Sequence, residues 1–404
     1  MDTPRPPTRG RYNIRNPAVN LSFRCLDALL SVCARPRRGG RPVEPPRRIL
    51  ISDIAHLGDV IMATSMLPVL KGAYPEARIG FLVGSWSLPI LKGHPLVDEV
   101  HVLDHWAHNR APLGKKEKFL HYLRTRGEAL RQIRAARYDV ALDFYWNFPN
   151  TLPFLWQARI PTRVGYESGG FGPLATHPLE FGDKRLHAAE RFLDLVKTLP
   201  RVGDAATPPP VLPPLDGQDP GIAAFRAERG AAGLREEDYL VFHVGAADDF
   251  RDWPAGRWRA LAEAFIARGH TPVFTGMGPR DAALIGEITA GLGGCVSLCD
   301  RLSWGGFVAA VAGARLLVCV DTVAGHVAAA AGTPCAVITA GRWPYLWRPL
   351  GPVTRVLTAP VPCAPCHRNG GCAGMECIRD VTVETVCEAG LALLASGPRC
   401  PPPR

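Results

Sequence analysis

No stretch of eighteen or more apolar residues occurs in the chain, and its N-terminus lacks the short apolar core and small-residue cleavage site of a signal peptide, which predicts a soluble cytoplasmic protein. A GxGxxG dinucleotide fingerprint and a Walker phosphate loop are also missing. Asp248 and Asp249 are adjacent, and so are not the spaced acidic pair that suits a metal bound to a sugar nucleotide. Net positive charge is nearly missing from most of the chain. Residues 1–48 hold eleven Arg against Asp2, Asp27 and Glu44, a net +8 of the chain's +10, which leaves about +2 for the remaining 356 residues. Tracking a nucleic-acid backbone needs cations spread over a groove, so the folded body is not expected to bind nucleic acid. The twelve cysteines sit unevenly, with a cluster at Cys363, Cys366, Cys372 and Cys377, which does not read as a disulfide framework in a reducing compartment.

At 404 residues and 47% hydrophobic composition, the chain exceeds the size at which one core usually divides, and two domains are expected. Residues 1–47 form a basic Pro/Arg-rich extension that packs no core of its own, apart from one short amphipathic helix in VNLSFRCLDALLSVCA. Helical spacing puts Asn20, Arg24, Asp27 and Ser31 on one face of it and Phe23, Leu26, Leu29, Leu30 and Cys33 on the other. Two readings stand: docking on the protein's own body, or anchoring on an anionic membrane leaflet.

From residue 48 to 200, apolar runs of strand length at 47–53, 78–83, 97–103 and 139–144 alternate with helical patterns, including one from Val60 to Ala73. The Pro-dense segment 201–220 reads as a linker. From 221 to 390 the alternation restarts, with strands near 239–245, 272–276, 314–321 and 334–340, before a tail at 391–404. Alternation of this kind predicts α/β structure with parallel sheets, as two Rossmann-like domains facing a cleft, with ligands beyond the carboxyl ends of the strands.

The polar residues that follow each strand are therefore the ones to weigh. In His56-Leu57-Gly58-Asp59-Val60, Gly58 allows a tight turn and Asp59 opens a helix. Read locally Asp59 is a capping carboxylate, while in a cleft the same position suits a general base. His243-Val244-Gly245-Ala246 follows a strand with small residues, which lets backbone amides approach a phosphate, and Arg251 comes shortly after as either a solvated loop cation or a diphosphate ligand. Thr275-Gly276 precedes Asp281 in the first turn of a helix, and Asp321-Thr322-Val323-Ala324-Gly325-His326 enters another, where free amides and the Thr322 hydroxyl face an anion.

In order and spacing these blocks resemble the glycosyltransferase family of bacterial lipopolysaccharide heptosyltransferases, over about residues 48–390. The resemblance rests on ILISDIAHLGDVIMATSMLPVLKGAYPEARIGFLV, HVGAADDFRDWPAGRWRALAEAF, VFTGMGPRD and CVDTVAGHVAAAAGTPCAVITAGRWPYLWRPLGP. It implies a GT-B fold and an inverting transfer that needs no metal or other cofactor. It also implies an ADP-sugar donor, ADP-heptose, held mainly by the second domain, and a lipid-linked glycan acceptor held by the first at the cytoplasmic face of the inner membrane. By the same resemblance Asp59 is the base, and Gly58, Gly245, Ala246, Arg251, Gly276, Asp281, Asp321, Thr322, Gly325 and His326 belong to the donor site. Arg251 stands where the family usually has Lys, Asp281 where it has Glu, and Val323 where it has Gly. The four clustered cysteines, spaced C-x2-C-x5-C-x4-C, are either a structural metal site or free thiols, and no catalytic step depends on them. Competing readings are transfer of another nucleotide sugar to a capsule or glycoprotein glycan, and a catalytically silent sugar-nucleotide or glycan binder.

Overall fold

A computed structural model of the chain describes residues 12–13, 16–34, 45–182, 186–235, 238–246, 249–341, 346–364, 366 and 371–396. Most of the Pro/Arg-rich stretches of the extension, and the last residues of the tail, lie outside these. The protein divides into two compact units between Pro208 and Pro209, within the Pro-dense segment. Among the described residues no helix is long and apolar enough to cross a membrane.

In the first unit, α1 (Pro17–Ala34) precedes β1 (Arg48–Asp53), α2 (Leu57–Ala63), α3 (Met66–Ala73), β2 (Arg78–Val83), α4 (Leu88–Leu91), β3 (Glu99–Val102) and α5 (Lys115–Ala136). After these come β4 (Val140–Asp143), α6 (Leu152–Gln157), β5 (Thr162–Tyr166), β6 (His177–Leu179) and α7 (Ala188–Val196). The six strands pair in the order β3-β2-β1-β4-β5-β6, and all are parallel. A parallel sheet covered on both faces needs continuous apolar runs, which is why Ile49, Leu50 and Ile51 of β1 and Phe81, Leu82 and Val83 of β2 are all buried.

The helical pattern read from Val60 to Ala73 is two helices. Pro68 has no N–H to give the Thr64 carbonyl four residues back, which instead accepts from Leu67 at 3.0 Å, and the helix breaks at Thr64–Ser65. Strands β5 and β6 lie beyond the four read from the sequence. β6 is a short edge strand containing Pro178. In β5, Arg163 is buried and its guanidinium donates to the carbonyls of Leu174 and Ile160, a tertiary arrangement that no local pattern announces.

Helix α1 docks on the first unit through a face that mixes the two kinds of residue separated by the sequence reading. Phe23 is buried edge-on to Phe148 and Phe171, with ring centroids 5.1 and 5.5 Å away. Asp27 is buried beside it and accepts from the Phe171 N–H and the Tyr12 hydroxyl, each at 2.9 Å. Gly170, at φ +82°, is needed here, because a Cβ on it would come within 2.4 Å of the Phe23 ring. Leu26 and Leu29, expected beside Phe23, point outward instead, and the Cys33 side chain is outside the described residues.

The second unit runs α8 (Pro220–Ala231), β7 (Tyr239–His243), α9 (Ala255–Ile266), β8 (Thr271–Thr275), α10 (Pro279–Thr289), β9 (Val296–Ser297) and α11 (Trp304–Gly313). It continues through β10 (Leu316–Val320), α12 (Val323–Ala331), β11 (Cys335–Ile338), β12 (Thr354–Leu357), α13 (Glu376–Arg379) and α14 (Val383–Ala395). The sequence boundary at 390 falls inside α14. The sheet order is β12-β11-β10-β7-β8-β9, again all parallel. Phe242, Trp258, Phe265 and Phe274 fill its core, and the Trp253 indole N–H donates to the Val381 carbonyl at 2.8 Å, tying the start of α9 to the C-terminal segment.

Counted within each unit, both sheets have the strand order 3-2-1-4-5-6. The order reverses between β1 and β4 in one and between β7 and β10 in the other. Neighbouring strands there send their connections to opposite faces of the sheet, which leaves a crevice beyond their carboxyl ends.

Candidate functional site

At the first reversal, β1 ends in Asp53 and the chain enters α2 through His56, its N-cap in extended conformation. The Asp59 carboxylate accepts from the His56 backbone N–H at 3.1 Å, so it does cap the helix, and its residue is only 9% exposed. Gly58 is not in a tight turn: it is the second residue of α2, where a helical backbone makes no demand for glycine.

Asp59 has acidic company that the sequence reading passed over. Asp53 is fully buried and accepts from the Ala55 N–H at 3.1 Å. Burial first, then the negative charges of Asp59 and Asp143, push its carboxyl well above the usual range. Asp143, at the end of β4, accepts from the Thr151 N–H at 2.9 Å, and burial raises it to about 7 against that bond. Asp53 and Asp143 thus hold protons in conditions where an exposed aspartate would not. Around them stand His108, 4.9 Å from the Tyr145 ring and 5.9 Å from His56, and Arg110, whose guanidinium meets the His56 ring at 3.3 Å. Burial lowers His108, and lowers His105 to about 4, so both are neutral at pH 7 and serve as hydrogen-bonding groups. The Tyr145 hydroxyl is raised by burial and then by the charges of Asp59 and Asp53. An acid closing an apolar strand was a legible signal for Asp53 and Asp143. His108 and Arg110 come from a loop with no motif to mark them.

At the second reversal the residues come from three neighbouring strands. The His243 ring meets the Thr275 hydroxyl at 3.0 Å across the β7–β8 pair, and burial lowers the imidazole to about 4 while Asp281 opposes the shift. Asp281 accepts from the Met277 N–H at 3.0 Å and fills the space beside both glycines: a Cβ on Gly245 would sit 2.1 Å from its carboxylate oxygen, and one on Gly276 2.7 Å from its Cβ. The smallness of Gly245 and Gly276 therefore admits Asp281 as well as leaving backbone open. The carbonyl of Ala246 accepts from Arg280 at 2.5 Å, and Arg280 is also ion-paired with Asp252.

Beyond β10, the Arg251 guanidinium donates to the Asp321 carbonyl at 3.4 Å and lies 4.0 Å from its carboxylate. Thr322 is the N-cap of α12, half-exposed in extended backbone at the end where the helix amides are free. Arg251, Asp321 and Thr322 therefore form one group. A Cβ on Gly325, in the first turn of α12, would meet Pro349 at 2.7 Å, which makes its smallness a matter of packing, and His326 is buried in the same helix. Of the clustered cysteines, Cys363 is exposed, Cys366 and Cys372 are half-buried and Cys377 is buried. Among the described residues no group of acidic, His and Cys side chains is arranged to hold a metal ion, and residues 367–370, between Cys366 and the rest, lie outside them.

Two Rossmann-like units, with a carboxylate cluster at the first strand reversal and Arg251 beside a helix N-terminus at the second, define a GT-B type α/β protein. The chain belongs to glycosyltransferase family 9 (heptosyltransferase), whose model matches residues 126–374. It is 26% identical over 306 residues to lipopolysaccharide heptosyltransferase 3 of Escherichia coli, covering 72% of this chain and 83% of that one. Among solved structures it is similar to a family 9 glycosyltransferase from Veillonella parvula, with a TM-score of 0.74 and 22% identity over 87% of this chain and 98% of that one. It is also similar to the E. coli ADP-heptose lps heptosyltransferase II, with a TM-score of 0.64 and 23% identity over 86% and 98%.

Proposed function

We infer that this glycosyltransferase moves heptose from ADP-heptose to a lipopolysaccharide core or related surface-glycan acceptor, by single displacement with inversion and without a metal. The observation that carries the reading is Asp59: a nearly buried carboxylate at the first strand reversal, fixed by the His56 amide and set among proton-holding acids, in a chain of the heptosyltransferase family. The family match begins past Asp59, at residue 126, so its role rests on the geometry and on the block that surrounds it. The similarity to the E. coli ADP-heptose lps heptosyltransferase II supports the donor and the acceptor class.

In this mechanism Asp59 takes the proton of an acceptor hydroxyl as its oxygen attacks the anomeric carbon from the face opposite the leaving group. Arg251, with the free amides of α12 beside Thr322, meets the charge that grows on the departing nucleoside diphosphate. Asp321, paired with Arg251, holds its guanidinium in place until the diphosphate arrives. The test is Asp59→Asn, which keeps an oxygen for the His56 amide. It is expected to fold, to bind donor as the native protein does, and to lose turnover by about 10²–10⁴-fold; near-native turnover would remove Asp59 as the base.

One observation favours a second reading within the same class. Val323 opens α12 half-buried beside Thr322, and so puts a side chain where the resembled family usually has glycine. A thermal-stabilisation screen of ADP-, UDP-, GDP- and CDP-sugars separates the two, because a ligand bound only by the native state raises apparent stability.

A further inference from the structure

Helix α1 is inverted with respect to an ordinary surface helix. Its docked face carries the one acidic residue of the helix, Asp27, with Asn20 and Ser31 half-buried beside it. Its outward face is apolar. Leu21 is 59% exposed, Leu29 67% and Val32 69%, with Val19 and Leu26 continuing the face at 41% and 37%. At about 100° per residue these positions, with Ala18, Cys25 and Ala28, cover about half the circumference. The only polar residue within that arc, Ser22, donates its hydroxyl to the Ala18 carbonyl at 2.9 Å and so asks nothing of the surroundings. A contiguous exposed apolar stripe is the kind of surface that marks a site of interaction.

A second apolar surface lies on the same unit. Along the first turns of α5, Phe119, Leu120 and Leu123 are 47%, 55% and 46% exposed, next to Lys115, Lys116 and Lys118, and Trp106 in the preceding loop is 48% exposed. The connectivity relates the two surfaces. α1 packs on Phe148 and Phe171, which follow β4 and β5, while Trp106 and the start of α5 follow β3. Both belong to the carboxyl end of one sheet, on either side of β1, whose end leads to Asp59.

Charge decides between occupants. The sequence on either side of α1 contributes Arg5, Arg9, Arg11 and Arg15 before it and Arg35, Arg37, Arg38 and Arg41 after it, and the helix's own acid is turned inward. An apolar face with no outward acid, on a helix whose neighbouring sequence is rich in arginine, matches the chemistry of a bilayer that carries anionic headgroups, which takes apolar side chains at its acyl boundary and cations at its phosphates.

We propose that the outward face of α1, with the Trp106–Leu123 surface, docks the protein on an anionic lipid bilayer lying in the membrane plane. This goes beyond the transfer reaction and does not depend on it, although a lipid-linked acceptor would then be presented beside Asp59. The experiment is co-sedimentation of the full chain with vesicles of phosphatidylcholine alone and of phosphatidylcholine with 30% phosphatidylglycerol, without donor or acceptor. Partitioning onto the anionic vesicles is expected to be at least tenfold stronger than onto the neutral ones and to weaken in 0.5 M NaCl. The paired variant L29D/V32D is expected to lower it at least tenfold without moving the melting temperature. L29Q is expected to lower it by a smaller factor, which supplies an independent reading should the pair not fold. Equal partitioning of native and variant proteins, or equal binding to both vesicle types, overturns the proposal. So does a lipid-free dimer that L29D/V32D dissociates, which would assign the face to a second copy. Failure here leaves the loss of turnover in Asp59→Asn unaffected, so the two readings fall separately.

Discussion

Replacing Asp143 with Asn removes an ionisable group that the folded protein holds against its ordinary chemistry. The carboxyl is buried at the end of β4 and raised to about 7 from an ordinary 3.8, mainly by burial, although Thr151 donates a backbone N–H to it at 2.9 Å. The folded state keeps this proton while the unfolded chain releases it above about pH 4, so the group's contribution is fully present below that pH and is lost as pH rises to about 7. At about 1.4 kcal/mol per pH unit, the loss is about 4 kcal/mol over the whole interval, of which about 2 kcal/mol falls between pH 5 and pH 7. Asn keeps a carbonyl oxygen for the Thr151 amide but carries no titrating proton. Urea unfolding of native and D143N proteins at pH 5, 6, 7 and 8, followed by amide protection of β1 and β4, measures the difference. D143N is expected to be the flatter of the two, and more stable relative to the native protein at pH 8 than at pH 5. Because the charge of Asp143 also raises Asp53, the substitution weakens that neighbour's pH dependence in the same direction. A variant whose stability falls between pH 5 and pH 7 as steeply as the native protein's would refute the argument that burial, outweighing the hydrogen bonds from Thr151, Tyr145 and Leu152, sets this carboxyl.

Gly245→Ala drives a methyl into the Asp281 carboxylate and is expected to cost about 1–3 kcal/mol of stability, as overpacking does. The double variant G245A/D281A should recover most of that loss, since the two residues compete for one space, and additive losses in thermal melts would contradict the contact. Arg251→Ala breaks a partly exposed ion pair and is expected to change stability by less than about 1 kcal/mol. The same change should weaken donor binding about 10- to 100-fold, the value of a charge-assisted hydrogen bond, as read by calorimetry with the nucleotide sugar, while R251K keeps part of the affinity.

The sequence carried far for the elements that tolerate only one reading. RILISD and RIGFLV carry unbroken apolar runs, Ile49–Ile51 and Phe81–Val83, as a parallel sheet covered on both faces requires, so alternation of such runs with helices announced the class of fold. It also announced the places, just past the strands, where Asp59, Arg251, Asp281, Asp321 and Thr322 stand. Short strands were illegible for a physical reason: β9 has two residues and β6 contains a proline, and each is held by its neighbour in the sheet more than by its own composition. Glycines were legible as small residues but not in their purpose. Gly325 makes room for Pro349 and Gly245 for Asp281, contacts between residues far apart in the chain.

What the sequence determined by itself is the alternation, the break at the Pro-dense segment, the basic flanks of α1 and the place of Asp59 at the start of the helix after the first strand, since each depends on local composition and spacing. Only tertiary structure decided the strand order that puts both reversals beside the polar loops, the burial that raises Asp53 and Asp143 beside Asp59, and the rotation of α1 that turns Asp27 inward and Leu21, Leu26 and Leu29 out. Those properties depend on which distant groups exclude water from a residue, and distance along the chain carries no record of that.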